Sequence, residues 1–126
     1  ITMNHPVEWQ GYANFAAAAV ARYEHQMSGI IWELWNEQNT GQFWHVTVDG
    51  DENTPAAATE RAKNYMGMVG VAIPAMRAAN PNCTIISGGV LDPDWNVTAA
   101  WFNECFSQGL LTMVDGIGVH LYGGNS

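Results

Sequence analysis

Ile30-Ile31-Trp32-Glu33-Leu34-Trp35 reads as a strand, and the polar residues Asn36-Glu37-Gln38-Asn39 follow it without a break. The run is short, aromatic and β-branched, the composition of a buried strand. Gly29 stands just before it and stops a helix. That helix begins near Asn4 to Pro6, where a capping residue is followed by a proline tolerated in the first turn. Tyr12, Phe15, Ala16, Ala19, Val20 and Tyr23 recur at three- and four-residue steps and predict one buried stripe.

Downstream the pattern repeats. A polar loop, Gln38 to Asn53, carries Phe43, Trp44 and His45. Thr54-Pro55 is a helix start, an N-cap and then proline at the first position. Ala58, Ala62, Tyr65, Met66, Val69, Ile73 and Met76 follow at helical spacing and read as core. Pro74 is expected to bend this helix, because it removes the bond to Gly70. Asn80-Pro81 ends it. Cys83-Thr84-Ile85-Ile86-Ser87 reads as a second strand ending in Gly88-Gly89. Asn96 is expected to cap a third helix with Trp101, Phe102, Cys105 and Phe106 on its inner face and Gly109 near its end. Gly116-Ile117-Gly118-Val119-His120-Leu121-Tyr122 reads as the last strand.

Strands alternating with long helices imply right-handed crossovers and a parallel sheet, an α/β fold with three strands and three helices. A doubly wound sheet would carry a Gly-rich phosphate turn after a strand. Gly88-Gly89 is followed by Leu91-Asp92-Pro93 and has no such signature. The alternative is a (β/α)8 TIM barrel, which typically needs about 250 residues. At 126 residues the chain is one domain, 1–126, and about half such a barrel.

Composition narrows the function. Apolar residues make up 48% and charged residues 13%, which excludes a disordered tail. No apolar run reaches membrane-spanning length. Twelve acids against four bases give a net charge of −8, the wrong sign for binding nucleic acid. Cys83 and Cys105 could form one disulfide but read better as isolated apolar thiols. The first residues do not read as a charged-then-apolar leader. The opening at Ile1 and the ending at Ser126 after Gly123-Gly124 lead to the expectation of an excised or incomplete piece.

In a parallel α/β sheet, reactive side chains collect at the carboxyl ends of the strands. Here those ends carry Asn36-Glu37-Gln38-Asn39, Ser87-Gly88-Gly89 and His120-Leu121-Tyr122. A carboxylate, side-chain amides, an imidazole and a phenol on one rim suit a neutral polyol. His5, His25 and His45 share no metal-ligand spacing. Asn96-Val97-Thr98 and Asn82-Cys83-Thr84 fit the glycosylation pattern, which is frequent by chance.

Trp32-Glu33-Leu34-Trp35-Asn36-Glu37-Gln38-Asn39, followed by Phe43-Trp44, resembles the fourth strand of clan A glycoside hydrolases, families 39 and 5 and their relatives. Ala21-Arg22-Tyr23 is similar to the end of the helix before that strand. Val114-Asp115-Gly116-Ile117-Gly118-Val119-His120-Leu121-Tyr122-Gly123 resembles the sixth strand with its His-x-Tyr. The resemblance covers essentially the whole chain, as strands four to six with helices three to five. Gln38 departs from it, since proline is commoner there. The resemblance implies a retaining glycosidase on a (β/α)8 barrel, a carbohydrate substrate, no cofactor and a secreted or extracellular setting. It makes Glu37 the general acid/base and Asn36 the partner of the sugar 2-hydroxyl. His120 and Tyr122 match subsite and nucleophile-orienting positions. The nucleophile matches a glutamate ending the seventh strand, outside this chain.

Retention needs two carboxyl groups about 5 Å apart and inversion about 6.5–9.5 Å. Glu33 is four residues before Glu37, which in extended chain is roughly 13 Å, too far for either. Asp92 and Asp94 follow the second strand on the same rim and are the local candidates for a second carboxylate. Asp115 precedes the last strand, at the wrong end.

Each of these residues also has a purely structural reading. Glu33 lies mid-strand and is expected to be buried, paired with Arg22 or a polar group of another strand. His120 reads as a site residue or as a satisfied core imidazole. Trp35 and Trp44 either stack on sugar or, for Trp44, pin the loop. A non-catalytic half-barrel that binds carbohydrate, or pairs with a partner through open sheet edges, is the rival function, with self-association its expected sign.

Overall fold

Thr54 caps the longest helix as its sequence requires: its hydroxyl accepts from the Ala57 N–H at 3.1 Å, and Pro55 fills the first helical position. The computed structural model describes residues 3–122. In chain order the elements are α1 (Pro6–Tyr23), β1 (Ile31–Asn36), α2 (Pro55–Ala79), β2 (Thr84–Leu91), α3 (Asn96–Ser107), α4 (Leu110–Met113) and β3 (Val119–His120). The strands form one open parallel sheet in the order β1-β2-β3. The α/β class and the parallel sheet match the sequence-based expectation. The helix count does not, because Gly109 adopts φ 91° and lets α4 start immediately after α3.

The helices cover one face of the sheet. Leu34, Ile85 and Val90 are buried among them, while Ile31 is 60% exposed and Glu33 is also exposed. β1 is therefore covered on one side only, not buried throughout as its composition suggests. α1 departs similarly. Its packed line is Ala13, Ala16 and Val20, with Trp9 and Tyr12 half-buried, whereas Phe15 is 71% exposed and Tyr23 lies at the surface. Phe15 is one residue, about 100° of turn, from Ala16 and so falls off the contact line. α1 ends at Tyr23, before Gly29, and Asn4 does not cap it. The N-cap is His5, whose N–H donates to Glu8 Oε2 at 3.0 Å. Asn4 instead accepts from Trp44 Nε1 and donates to the His45 carbonyl, tying the loop to α1.

α2 runs through Pro74 without interruption, and Asn80 ends it as expected. α3 includes Asn96 as its first residue, with Trp95 as the N-cap. Its inner face is Val97, Thr98, Trp101 and Cys105, and Phe106 is partly exposed, stacked on Phe102. Cys83 and Cys105 are both buried and unpaired. Burial pushes the Cys105 thiol well above its ordinary range. No helix among the described residues is long and apolar enough to cross a membrane. Seven rings run through the core, Tyr12, Trp35, Trp44, Tyr65, Trp101, Phe102 and Phe106, with successive centroids 5.1 to 5.9 Å apart.

β2 continues through Gly88-Gly89 to Leu91 instead of ending there. Opposite it, the expected last strand shrinks to Val119–His120 with an isolated bridge at Gly116. The cause is a mismatch in count. Ser87 N–H donates to the Gly116 carbonyl and Val90 N–H to the Gly118 carbonyl, three residues on one strand against two on the other. That is a bulge, and Ser87 Oγ fills its gap by accepting from the Gly118 N–H. The shift in alternation shows in the core, where both Ile85 and Val90 are buried.

The amino ends of the strands are tied by one ion pair. Asp115 Oδ2 accepts from the Ile85 N–H at 2.8 Å and from Arg77 Nη2 at 3.1 Å, and Arg77 also reaches the Cys83 carbonyl. These donors, the Ile85 amide first, hold the Asp115 carboxyl below its ordinary 3.8. A depressed folded-state pKa gives stability that is complete above the unfolded value and lost as pH falls through the folded one. Asp115→Asn is expected to lower the thermal midpoint at neutral pH, with the gap to wild type closing below pH 3.8. A gap that persisted unchanged into strong acid would contradict this assignment.

Candidate functional site

A left-handed residue in the middle of a strand sets the site. Trp35 stands at φ 82° and Glu37 at φ 48°, both costly for a residue with a side chain. A regular strand would point Trp35 to the same face as Glu33. Its indole instead packs against Tyr12 and Trp44 and donates to the Phe43 carbonyl at 3.2 Å. The pairing of β1 with β2 skips this residue, running Leu34 with Ser87 and then Asn36 with Gly89.

Beyond the kink the chain turns inward. Glu37, Gln38, Asn39 and Thr40 are all buried, so the polar loop that starts at Gln38 begins as part of the interior. Most polar groups there have a partner that fixes the turn, Gln38 Oε1 being the buried side-chain oxygen without one. Thr40 N–H and Oγ1–H both donate to the Glu37 carbonyl. Gln38 Nε2 donates to the Gly88 carbonyl at 2.9 Å, a bond that proline could not make. Asn39 accepts from the Leu91 N–H and donates to the Leu91 carbonyl and Thr98 Oγ1, stitching the turn to β2 and α3. Arg61, fully buried on α2, donates to the carbonyls of Asn39, Val46 and Glu52 and closes the loop from below.

The Glu37 carboxylate is the focus. Its Oε1 accepts from His120 Nδ1–H at 2.8 Å and from the Tyr122 hydroxyl at 2.9 Å. Three side chains 83 and 85 residues apart in sequence therefore meet at one oxygen. The side chain of Glu37 is 9% exposed and that of His120 30%. The hydrogen bond to Glu37, then its charge, then burial and the charge of Asp92 raise the Tyr122 pKa, so the phenol stays protonated and donates. The His120 ring stands edge-on to Tyr122 and lies directly over Gly89, where a Cβ would overlap it. A Cβ at Gly88 would likewise overlap Gln38. The glycine doublet thus makes room for the two side chains that flank the acid.

Two cavities adjoin these residues. One of about 540 Å³ is lined by His120 and Tyr122 with Asp92, Asp94 and Trp95. The other, about 480 Å³, is lined by Asn36, Trp35, Glu33, Gln42 and Phe43. Asn36 and Trp35 therefore face accessible space. Trp44 does not: it is completely buried against Trp35 and Tyr65 and pins the loop, which corrects its reading as a sugar platform. Glu33 is exposed rather than buried and bonds not to Arg22 but to the Gly89 N–H, at 2.6 Å. Glu33 and Glu37 both reach Gly89, the former with its carboxylate on the N–H and the latter through its own N–H to the Gly89 carbonyl at 2.8 Å. Asp115 stays at the amino end, as expected. Tyr65 reads in the sequence as core and Gly89 as a strand end, and Trp95 carries no signal of its own, although a Gly88-Gly89 doublet in a strand is a signal of close approach.

Gly89→Ala is expected to push the His120 imidazole off Glu37, which a crystal structure of the variant would show as loss of the Nδ1–Oε1 contact. A ring left in place would refute the close-packing account. Arg61→Leu strands three carbonyls in or near the interior and is expected to cost about 3 kcal/mol in urea unfolding. A loss within experimental error would mean that the loop is held by other contacts.

Comparison of the chain with protein-family models, with curated proteins and with solved structures finds no match.

Proposed function

We propose that the chain is the central part of a retaining O-glycoside hydrolase domain of the (β/α)8 barrel type, acting on oligo- or polysaccharide, with Glu37 as general acid/base. The observation that carries this reading is the carboxylate at the carboxyl end of β1 whose Oε1 takes hydrogen bonds from both His120 and Tyr122. With Oε1 occupied by two donors, the transferable proton belongs on Oε2. Glu37 gives that proton to the departing glycosidic oxygen while a second carboxylate attacks the anomeric carbon, and the resulting Glu37 carboxylate then acts as base toward the water that hydrolyses the glycosyl-enzyme. Asn36 and Trp35, on their cavity wall, are the residues we assign to sugar contact, with Asn36 on the 2-hydroxyl. We place the nucleophile on a strand outside these residues. Asp92 and Asp94 are the carboxylates within the chain that share a cavity with His120 and Tyr122.

In a protein carrying the complete domain, Glu37→Gln is expected to lower turnover of a glycoside with a poor leaving group by about 10²–10⁴-fold. Asp92→Asn and Asp94→Asn should leave the rate within a few-fold of wild type. The 126 residues alone should show negligible hydrolysis. Undiminished turnover by Glu37→Gln would end the glycosidase reading, and activity of the short chain that vanished with Asp92→Asn or Asp94→Asn would move the nucleophile into this chain.

A second reading draws on the uncovered face of the sheet, where Ile31 is 60% exposed. An open strand edge beside apolar side chains favours assembly, so the chain would be a non-catalytic half-barrel that binds carbohydrate or a partner. Light scattering on the purified chain discriminates: a mass that grows with concentration supports it, and a monomer at all concentrations counts against it.

A further inference from the structure

Between Leu34 and Asn36 the pairing of β1 with β2 skips Trp35, and two side chains bond the facing β2 backbone from opposite faces of the sheet. From the helical face, Tyr65 on α2 accepts from the Gly88 N–H at 3.1 Å and donates its own proton to the Leu34 carbonyl at 3.0 Å. From the open face, Glu33 Oε1 accepts from the Gly89 N–H at 2.6 Å. Beyond Trp35 the pairing resumes with Asn36 opposite Gly89, where the Glu37 N–H donates to the Gly89 carbonyl. A buried amide left without an acceptor costs about 1–3 kcal/mol, so an open ladder needs such substitutes to persist. Tyr65 is fully buried and touches neither His120 nor Tyr122 through any hydrogen bond; burial keeps its hydroxyl protonated, able to donate and accept at once.

The placement of these two groups coincides with the strained residue. Trp35 holds φ 82°, a conformation that bulky residues adopt only where surrounding contacts over-determine it. Glu37 lies two residues on, and its carboxylate direction depends on where the chain leaves that kink. We propose that Glu33 and Tyr65 are positioning residues for Glu37: they hold the β1–β2 ladder open at Trp35 and thereby turn the Glu37 carboxylate toward His120 and Tyr122. Its catalytic meaning rests on the glycosidase reading, while the aiming of the carboxylate stands on geometry alone.

The test reads the carboxylate contact directly. Side-chain nitrogen resonances of His120 are recorded by NMR for the wild-type chain and for Glu37→Gln, which marks their position when the carboxylate is lost. Glu33→Leu and Tyr65→Phe are each expected to shift the His120 resonances toward the Glu37→Gln position. Glu33→Gln keeps an oxygen for the Gly89 N–H and is expected to leave them at the wild-type position. Wild-type resonances in a folded Glu33→Leu or Tyr65→Phe would overturn the proposal, as would a Glu33→Gln shift as large as that of Glu33→Leu. If one of the two disruptive variants fails to fold, the other decides. Unfolding of both also overturns it, because the pair would then hold the fold rather than aim the acid. In a protein carrying the complete domain, both disruptive variants should lower kcat about 100-fold with KM little changed. Shifted resonances in a protein whose wild type hydrolyses no glycoside would sink the glycosidase reading and leave the positioning role intact.

Discussion

A parallel ladder cannot accommodate a left-handed residue without giving up rungs, and this protein places such a residue, Trp35, two positions before its buried carboxylate. The rest of the site is arranged around that sacrifice. Tyr65 and Glu33 accept from the Gly88 and Gly89 amides opposite the kink. Gly88 and Gly89 leave space for Gln38 and the His120 ring. Arg61 and Asn39 anchor the turn that follows. The stability of the sheet is spent locally so that a carboxylate, an imidazole and a phenol from distant parts of the chain can share one oxygen.

The two ends of the sheet are built differently. At the amino end, Arg77 and Asp115 form a partly exposed tie that fixes where β2 begins. At the carboxyl end no basic side chain other than His120 takes part in hydrogen bonds to Glu37 among the described residues.

The parallel sheet, the long capped α2 and the gathering of Glu37, His120 and Tyr122 on one rim were legible in the sequence. They follow from hydrophobic period, from Thr54-Pro55 and from the rule that parallel strands gather their polar tips on one side. What was not legible depended on how elements pack. Phe15 and Trp44 have the same apolar character, yet one is at the surface and the other fully buried, because burial follows the contact line of α1 on α2 and not composition. Glu33 reads as a buried acid within an apolar run, but the helices cover only one side of its strand. The extension of β2 through two glycines and the shortening of β3 are one event, a bulge whose extra residue no local propensity announces. Tyr65 looked like ordinary core because its spacing is that of core; only its hydroxyl, bound at both ends, sets it apart.

Trp35 belongs at once to the kinked backbone and to the chain of seven rings that crosses the interior. Aromatic chromophores fixed at such short separations couple, and their near-ultraviolet circular dichroism depends on rigid mutual orientation. The protein therefore carries a built-in optical gauge of its own strain. Relaxation of the backbone at this one indole would reach the spectrum through its neighbours Tyr12 and Trp44, without any label and before the helices lose their far-ultraviolet signal.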